Sequence, residues 1–489
     1  MSRVVSAGVS RRSIVASILA LTIGLVVGLT PSAFPATGRA PTKIDPRVAQ
    51  QLRAHGTANF WVMFTKTADL SAARSIKDWN ARGAYVLSRL TGAASASQRA
   101  FRSYLDRHGV RYQAFWIVNG IRVTGGTAAV ANAAAARPEV ARIAPAWHAY
   151  VSRYTVGTRV PTSTDGFEWN IKNIKANKVQ KKLGDKGAGT VVANIDTGVQ
   201  YNHPALVNQS RGNLGGGNFD HNYNWWDPSH VCSNNTPCDN VGHGSHTMGT
   251  MVGLDGANKI GVAPAAKWIA AKGCETNSCS DTALTSSAQF VTAPTDLNGN
   301  NPDPSKRPDV VNNSWSGGGG NSWYQAYVTA WVAAGIFPQF ANGNSGPSCH
   351  TSGSPGDYVN SYSAGAYDIN NNIASFSSRG PSAFGSEIKP NIAAPGVNVR
   401  SSVPTNGYAV FSGTSMASPH VAGTVALIIS KNPSLRGDVN AIRTLLDNSG
   451  TDVNALTCGG TLDDNDVFGE GRLNALSAVQ AAILEGKQG

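Results

Sequence analysis

The chain has six cysteines, at positions 232, 238, 274, 279, 349 and 458, and no Cys-x-x-Cys pair among them. A zinc cluster of the usual thiolate spacing is therefore disfavoured. One Asp-Thr-Gly occurs, at Asp196–Gly198, and there is no second, whereas an aspartic-protease dyad needs two carboxylates sharing a proton. His246 lies three residues after His243 with no glutamate beside them, which is poor evidence for a zincin helix. No stretch matches an EF-hand loop, and nothing suggests a nucleotide or redox cofactor. Basic residues are not interleaved with aromatics, so the nucleic-acid-binding reading has no support. Beyond residue 29 no apolar run approaches the roughly 20 residues of a membrane span.

What is present is unevenly distributed. Residues 1–155 carry 20 Lys+Arg against 5 Asp+Glu, and the remainder 21 against 24. The overall charge of +12 thus belongs to the N-terminal region and says nothing of nucleic acid in the working part of the chain. Arg3, Arg11 and Arg12 precede the uncharged run Ile14 to Leu29, followed by Pro31, Ser32, Ala33 and Ala36. That is the pattern of a secretory leader over residues 1–36, and the cysteines suit an oxidising, extracellular destination.

The most informative segment is Phe411 to Gly423, FSGTSMASPHVAG. Gly413 and Thr414 form a turn, Ser415 follows, and Met416 to Ser430 reads as an apolar helix with Pro419 in its first turn, where a missing N–H costs little. A serine there presents its hydroxyl beside an electropositive helix N-terminus, a place where a tetrahedral oxyanion would be stabilised; the commoner role of such a serine is N-capping. Val191 to Ile195 reads as a strand delivering Asp196, and His243 sits at a Gly-flanked helix start. Asp, His and Ser follow in the chain order that distinguishes subtilisin from chymotrypsin and the α/β-hydrolases.

On these three motifs the chain resembles the subtilisin-like serine proteases over roughly Gly166 to Leu484. The long Asp196-to-His243 interval and the Gly273-Cys274-Glu275 stretch look most like the bacillopeptidase F-like branch. The resemblance implies an α/β fold, a mostly parallel sheet flanked by helices, preceded by a small α+β ferredoxin-like prodomain. It implies Ser415 as nucleophile, His243 as base and Asp196 as the group that holds the imidazole tautomer. Asn344, in Phe340 to Gly346, is implied as the side-chain oxyanion donor, with Asn342 as internal competitor because the family usually has Ala there. Ser314, Trp315, Ser316 and Gly317 are implied as the edge that pairs with substrate backbone; Ser316 replaces the usual glycine, and Trp315 could equally be a core aromatic. His246 is implied to be structural, while His420 reads as a satisfied core histidine and His203 as a loop residue.

The region before the catalytic motifs reads as β-α-β-β-α-β, the split βαβ pattern. Its elements are a strand at Asn59–Thr65, a helix to about His108 interrupted near Gly83, strands at Tyr112–Val118 and Arg122-Val123, a helix at Ala128–Ala136 and a strand at Val140–Ala144. By resemblance residues 37–155 are a prodomain that chaperones and inhibits residues 156–489, with cleavage between about His148 and Gly166. The expected product is a secreted, monomeric, self-processing endopeptidase acting on proteins and peptides, with no stable membrane anchor. No cofactor is expected for catalysis. Structural calcium is a candidate at Asp296, Asn298, Asn300 and Asp303 and again at Asp463–Asp466, where oxygen ligands concentrate, although Asx-rich turns without metal are common. The cysteines are expected to pair as Cys232/Cys238, Cys274/Cys279 and Cys349/Cys458. A sedolisin-type acid peptidase would need a carboxylate in place of His243 and an Asp in place of Asn344; a silent binding protein would have no need of all four residues.

Overall fold

Short, mostly apolar strands such as Val191-Val192-Ala193-Asn194-Ile195 have no polar face to leave in water, so they form the middle of a sheet covered by helices. In the computed structural model, which describes residues 43–151, 154–159 and 164–486, these strands make a seven-stranded sheet. Its order is Trp225–Trp226, Lys267–Lys272, Val191–Asp196, Val310–Asn313, Phe337–Ala341, Tyr362–Tyr367, Ile392–Pro395, and every neighbouring pair runs parallel. The apolar runs that read as strands in the sequence, Thr190–Ile195, Trp268–Ala271, Val310–Asn313, Ile336–Phe340 and Tyr362–Ala366, are all strands whose ends differ by at most one residue. The helices His243–Val252 and Thr414–Lys431 pack on each other and on the sheet, as do Asp281–Thr292 and Gln325–Ala334. The leader expected at residues 1–36 lies outside the described residues, and among these no helix is long and apolar enough to cross a membrane.

Residues 43–145 build a second, antiparallel sheet in the order Arg111–Phe115, Gly120–Thr127, Thr57–Phe64, Val140–Pro145. With the helices Trp79–Arg107 and Ala128–Ala135 this is the split βαβ arrangement read from the sequence. It has a core of its own around Phe60, Phe101, Leu105 and Ile143. One local expectation is corrected and one element is added. The long helix runs through Gly83 without a break, because glycine there serves a close approach: a Cβ would lie 2.3 Å from Arg307 Nη1. A further helix, Pro46–His55, starts the domain, with Asp45 capping it through the Arg47 N–H and Pro46 in its first turn.

Polar contacts fasten this domain to the larger one. Asp281 accepts from Trp61 Nε1 at 2.6 Å and pairs with Arg122 at 3.4 Å. Gln289 Oε1 accepts from the Trp116 N–H at 2.7 Å. Arg82 donates to the carbonyls of Val332, Ala333 and Gly437, so that it caps the C-terminal end of the helix Gln325–Ala334. The chain then leaves the small domain as the strand His148–Val151, which enters the larger one.

Candidate active site

Asp196 is the last residue of its strand and His243 the first of its helix. The Asp196 carboxylate accepts from His243 Nδ1 at 2.8 Å and from the Thr197 N–H at 2.7 Å, with Thr247 Oγ1 at 3.4 Å on its other oxygen. A carboxylate in this position only accepts, so Nδ1 carries the proton and Nε2 is left as a proton acceptor. Nε2 is buried and meets no hydrogen-bond partner among the described residues.

Two residues that the sequence reading overlooked hold this pair together. Asp239 accepts from Thr197 Oγ1 and from the Gly242 and Ser245 N–H groups, each at 2.8 Å. It therefore ties the turn after Asp196 to the start of the His243 helix. Lys272, fully buried, donates to the Thr197 carbonyl and to Asn240 Oδ1. Burial lowers its ammonium pKa, and the carboxylates of Asp239, Asp227 and Asp196 oppose that loss of charge. Neither had a local signal in the sequence, since Gly242 is the residue that precedes the helix and Asp239 stands four positions ahead of its first residue.

The helix carrying Ser415 begins at Thr414, two residues earlier than expected, and this moves Pro419 into its second turn. A proline at that position removes the bond to the carbonyl four residues back, that of Ser415. Ser314 fills the vacancy: its hydroxyl donates to the Ser415 carbonyl at 2.9 Å, and the Ser415 hydroxyl donates to the Ser314 carbonyl at 3.1 Å. The Ser415 N–H lies in the first turn, where backbone donors have no intrahelical acceptor.

Asn344 and Asn342 separate cleanly. Asn342 is wholly buried; its amide donates to the Ser378 carbonyl at 2.8 Å and Ser352 Oγ at 3.1 Å, and its oxygen accepts from Ser363 at 3.2 Å. Asn344 is half-buried on the cleft wall, and its oxygen accepts from the Thr414 N–H at 2.9 Å and hydroxyl at 2.7 Å. Its amide is thereby fixed beside the turn that carries Ser415.

The cleft in front of these residues has a volume of about 850 Å³, with His148, Tyr154, Ser316, Gly317 and Asn344 among its lining. The chain's own strand His148–Val151 runs through it as the middle of three. Tyr150 pairs with Ser316 and Val151 with Trp315 on one side, and Ala149 with Cys279 on the other, all antiparallel. Beyond the active centre Tyr154 lies with its ring 5.2 Å from that of His243, and Thr155–Val156 pairs with Phe411–Ser412. Ser314 is buried, its hydroxyl and carbonyl engaged with Ser415, whereas Ser316 and Gly317 line the cleft. Trp315 does so only through its backbone: its indole is fully buried, donates to the Ile195 carbonyl at 3.0 Å and meets Tyr324 and Phe340 edge-on.

The three other histidines singled out in the sequence, His246, His420 and His203, serve packing. His246 stacks on Phe411 and faces the Val399 and Ala409 carbonyls, and burial pushes its pKa down to about 3. His420 bridges Asn170 and the Met416 carbonyl, with a pKa lowered by burial to about 4. His203 is in a loop as expected, yet is fully buried. At the calcium candidates the side chains named from the sequence are engaged by the protein itself. Asp296 spends its carboxylate on the N–H groups of Asn298 and Asn300 and the amide of Asn301, and Asp303 is turned to Ser305. In the second stretch Asn465 accepts from the Val467 and Phe468 N–H groups. Among the described residues no group of three or more acidic, His or Cys side chains could hold an ion. The disulfides pair as expected, Cys232–Cys238, Cys274–Cys279 and Cys349–Cys458; the second closes the loop whose far arm, Ser278–Ser280, is the other wall of the cleft.

Comparison with known proteins gives a consistent picture. The model of the subtilase family (peptidase S8) matches residues 187–471. The chain is 40% identical to bacillopeptidase F of Bacillus subtilis over 439 residues, which is 85% of this chain and 30% of that protein. It therefore spans less than a third of that relative's length. It is 35% identical over 316 residues to subtilisin DY of Bacillus licheniformis, covering 64% of this chain and 98% of the relative. With subtilisin E of Bacillus subtilis it shares 33% over 317 residues, 64% of this chain and 71% of the relative.

Proposed function

Since the chain belongs to the subtilase family of serine endopeptidases, we propose that it is a secreted, self-processing member of that family in which Asp196, His243 and Ser415 form the catalytic triad. The observation that carries the reading is the chain's own segment in the cleft. A peptide strand lies between Trp315–Ser316 and Ser278–Ser280, and further along the same segment Tyr154 stands with its ring beside that of His243, in keeping with the path of a substrate in strand addition.

In the reaction the Ser415 hydroxyl turns from the Ser314 carbonyl to His243 Nε2, which takes its proton as Oγ bonds to the carbonyl carbon. Asp196 keeps Nδ1 protonated and stabilises the imidazolium. The Ser415 N–H and the Asn344 amide receive the oxyanion. Collapse breaks the C–N bond as His243 returns the proton to the leaving amine. Water then attacks the acyl ester, with His243 again as base, and releases the acid and free Ser415.

The region read as residues 37–155 acts as the inhibitory prodomain, with its C-terminal boundary set by a first cut between Val151 and Tyr154. Support comes from the antiparallel pairing that ends at Val151 and from the position of Tyr154 beside His243. The charged leader and three disulfides support secretion. Expressed from Thr37 onward, the wild-type chain should yield a product whose first residue is Ser152, Arg153 or Tyr154, and this product should hydrolyse casein. Ser415→Ala should stay intact and inert, and normal processing of that variant in the absence of another protease would refute the assignment.

A further inference from the structure

Upstream of the strand His148–Val151, Trp147 enters a niche that the larger domain builds. Its ring stacks on Trp323 with centroids 4.8 Å apart and planes at 26°. Trp323 is itself held from behind by Tyr324 at 5.7 Å and Tyr327 at 5.0 Å, so the platform is fixed by the core. The floor is Gly317, where a Cβ would come within 2.7 Å of Trp147 Cζ2. The Trp147 N–H donates to Asp281 Oδ2 at 3.1 Å, extending the backbone recognition beyond the paired strand. Platform, floor and acceptor, Trp323, Gly317 and Asp281, all lie beyond the proposed cut, so none leaves with the prodomain.

We propose that the processed enzyme keeps this niche as an extended subsite for an aromatic side chain of the substrate, three residues upstream of the residue that pairs with Ser316. The inference rests on the endopeptidase reading above. It commits to an aromatic because a flat ring is what fits between the Trp323 face and a floor without a side chain. The substrate N–H at that position is met by a carboxylate that would otherwise stand at the start of the helix Asp281–Thr292 without Trp61, Arg122 or Trp147. Stacking of this kind adds to the gain from burial, and on its own corresponds to roughly two- to tenfold in binding.

The test uses the enzyme obtained by self-processing of the full chain and three synthetic peptides. One carries the sequence of residues 145–156, the second the same sequence with Trp147→Ala, and the third begins at His148. The wild type should cleave the first with kcat/KM roughly two- to tenfold above the second. Trp323→Ala should lose that ratio while cleaving the third peptide like the wild type, and Trp323→Phe should keep most of it. Equal rates on the first two peptides with the wild type, or an unchanged ratio in Trp323→Ala, would overturn the subsite. Failure of the wild type to cut even the third peptide would instead remove the endopeptidase reading on which it rests.

Discussion

His246 stands three residues beyond the candidate base and is wholly buried, with its pKa pushed down to about 3 by burial and by His243 nearby, against 6.5 in the unfolded chain. Its folded pKa is depressed, so above pH 6.5 neither state binds the proton and the group is neutral in its effect. Below that the unfolded chain takes up a proton that the folded chain refuses, and stability falls with pH until about 3. At pH 5 the difference is about 1.5 pH units of linkage, or ~2 kcal/mol. His420, lowered to about 4, adds a similar loss over the same interval. To isolate the first contribution, His246→Gln is compared with its parent in a Ser415→Ala background, which suppresses self-digestion, by urea unfolding at pH 8 and pH 5. Glutamine does not titrate, so whatever the variant costs at pH 8, its deficit should shrink by ~2 kcal/mol at pH 5. A deficit that is the same at both pH values would mean that His246 is protonated alike in both states, and the argument from burial would fail.

Further outcomes follow from contacts already described. Asn344→Ala should lose kcat by about 10²–10³ with little change in KM, a magnitude that comes from subtilisin itself. Asn342→Ala should leave kcat and KM unchanged and lower the thermal midpoint, since it leaves the Ser378 carbonyl and Ser352 without their partner; steady-state kinetics beside a melting curve decides between the two residues. Gly83→Ala would ordinarily stabilise a helix by up to about 1 kcal/mol. Here its Cβ would fall 2.3 Å from Arg307 Nη1, so it should weaken the hold of the small domain and raise the fraction of processed enzyme that is active without added prodomain. A more inhibited enzyme would show that Arg307 yields at no cost.

Most of the central sheet was legible because its strands are apolar runs bounded by glycine, proline or polar turns, a signal contained in each segment. The two edge strands were not. Trp225–Trp226 is only two residues long, and Ile392–Pro395 ends in a proline that strand patterns discount. The catalytic candidates were legible for the same local reason, since Asp196, His243 and Ser415 each lie in a short motif. What escaped were features defined by a distant partner. Gly83 looks like a helix break until Arg307 is seen against it. Pro419 looks like a first-turn proline until Ser314 is found using the carbonyl it frees. Asp239 and Lys272 carry no motif, yet they join the Asp196 turn to the His243 helix. The same distinction explains Trp315: sequence could place it on the substrate edge, but only the packing of Tyr324 and Phe340 shows its indole turned inward while its backbone serves the cleft. An active site assembled from separated segments is therefore announced locally by the groups that react, whereas the residues that set their geometry become visible only through the contacts that folding creates.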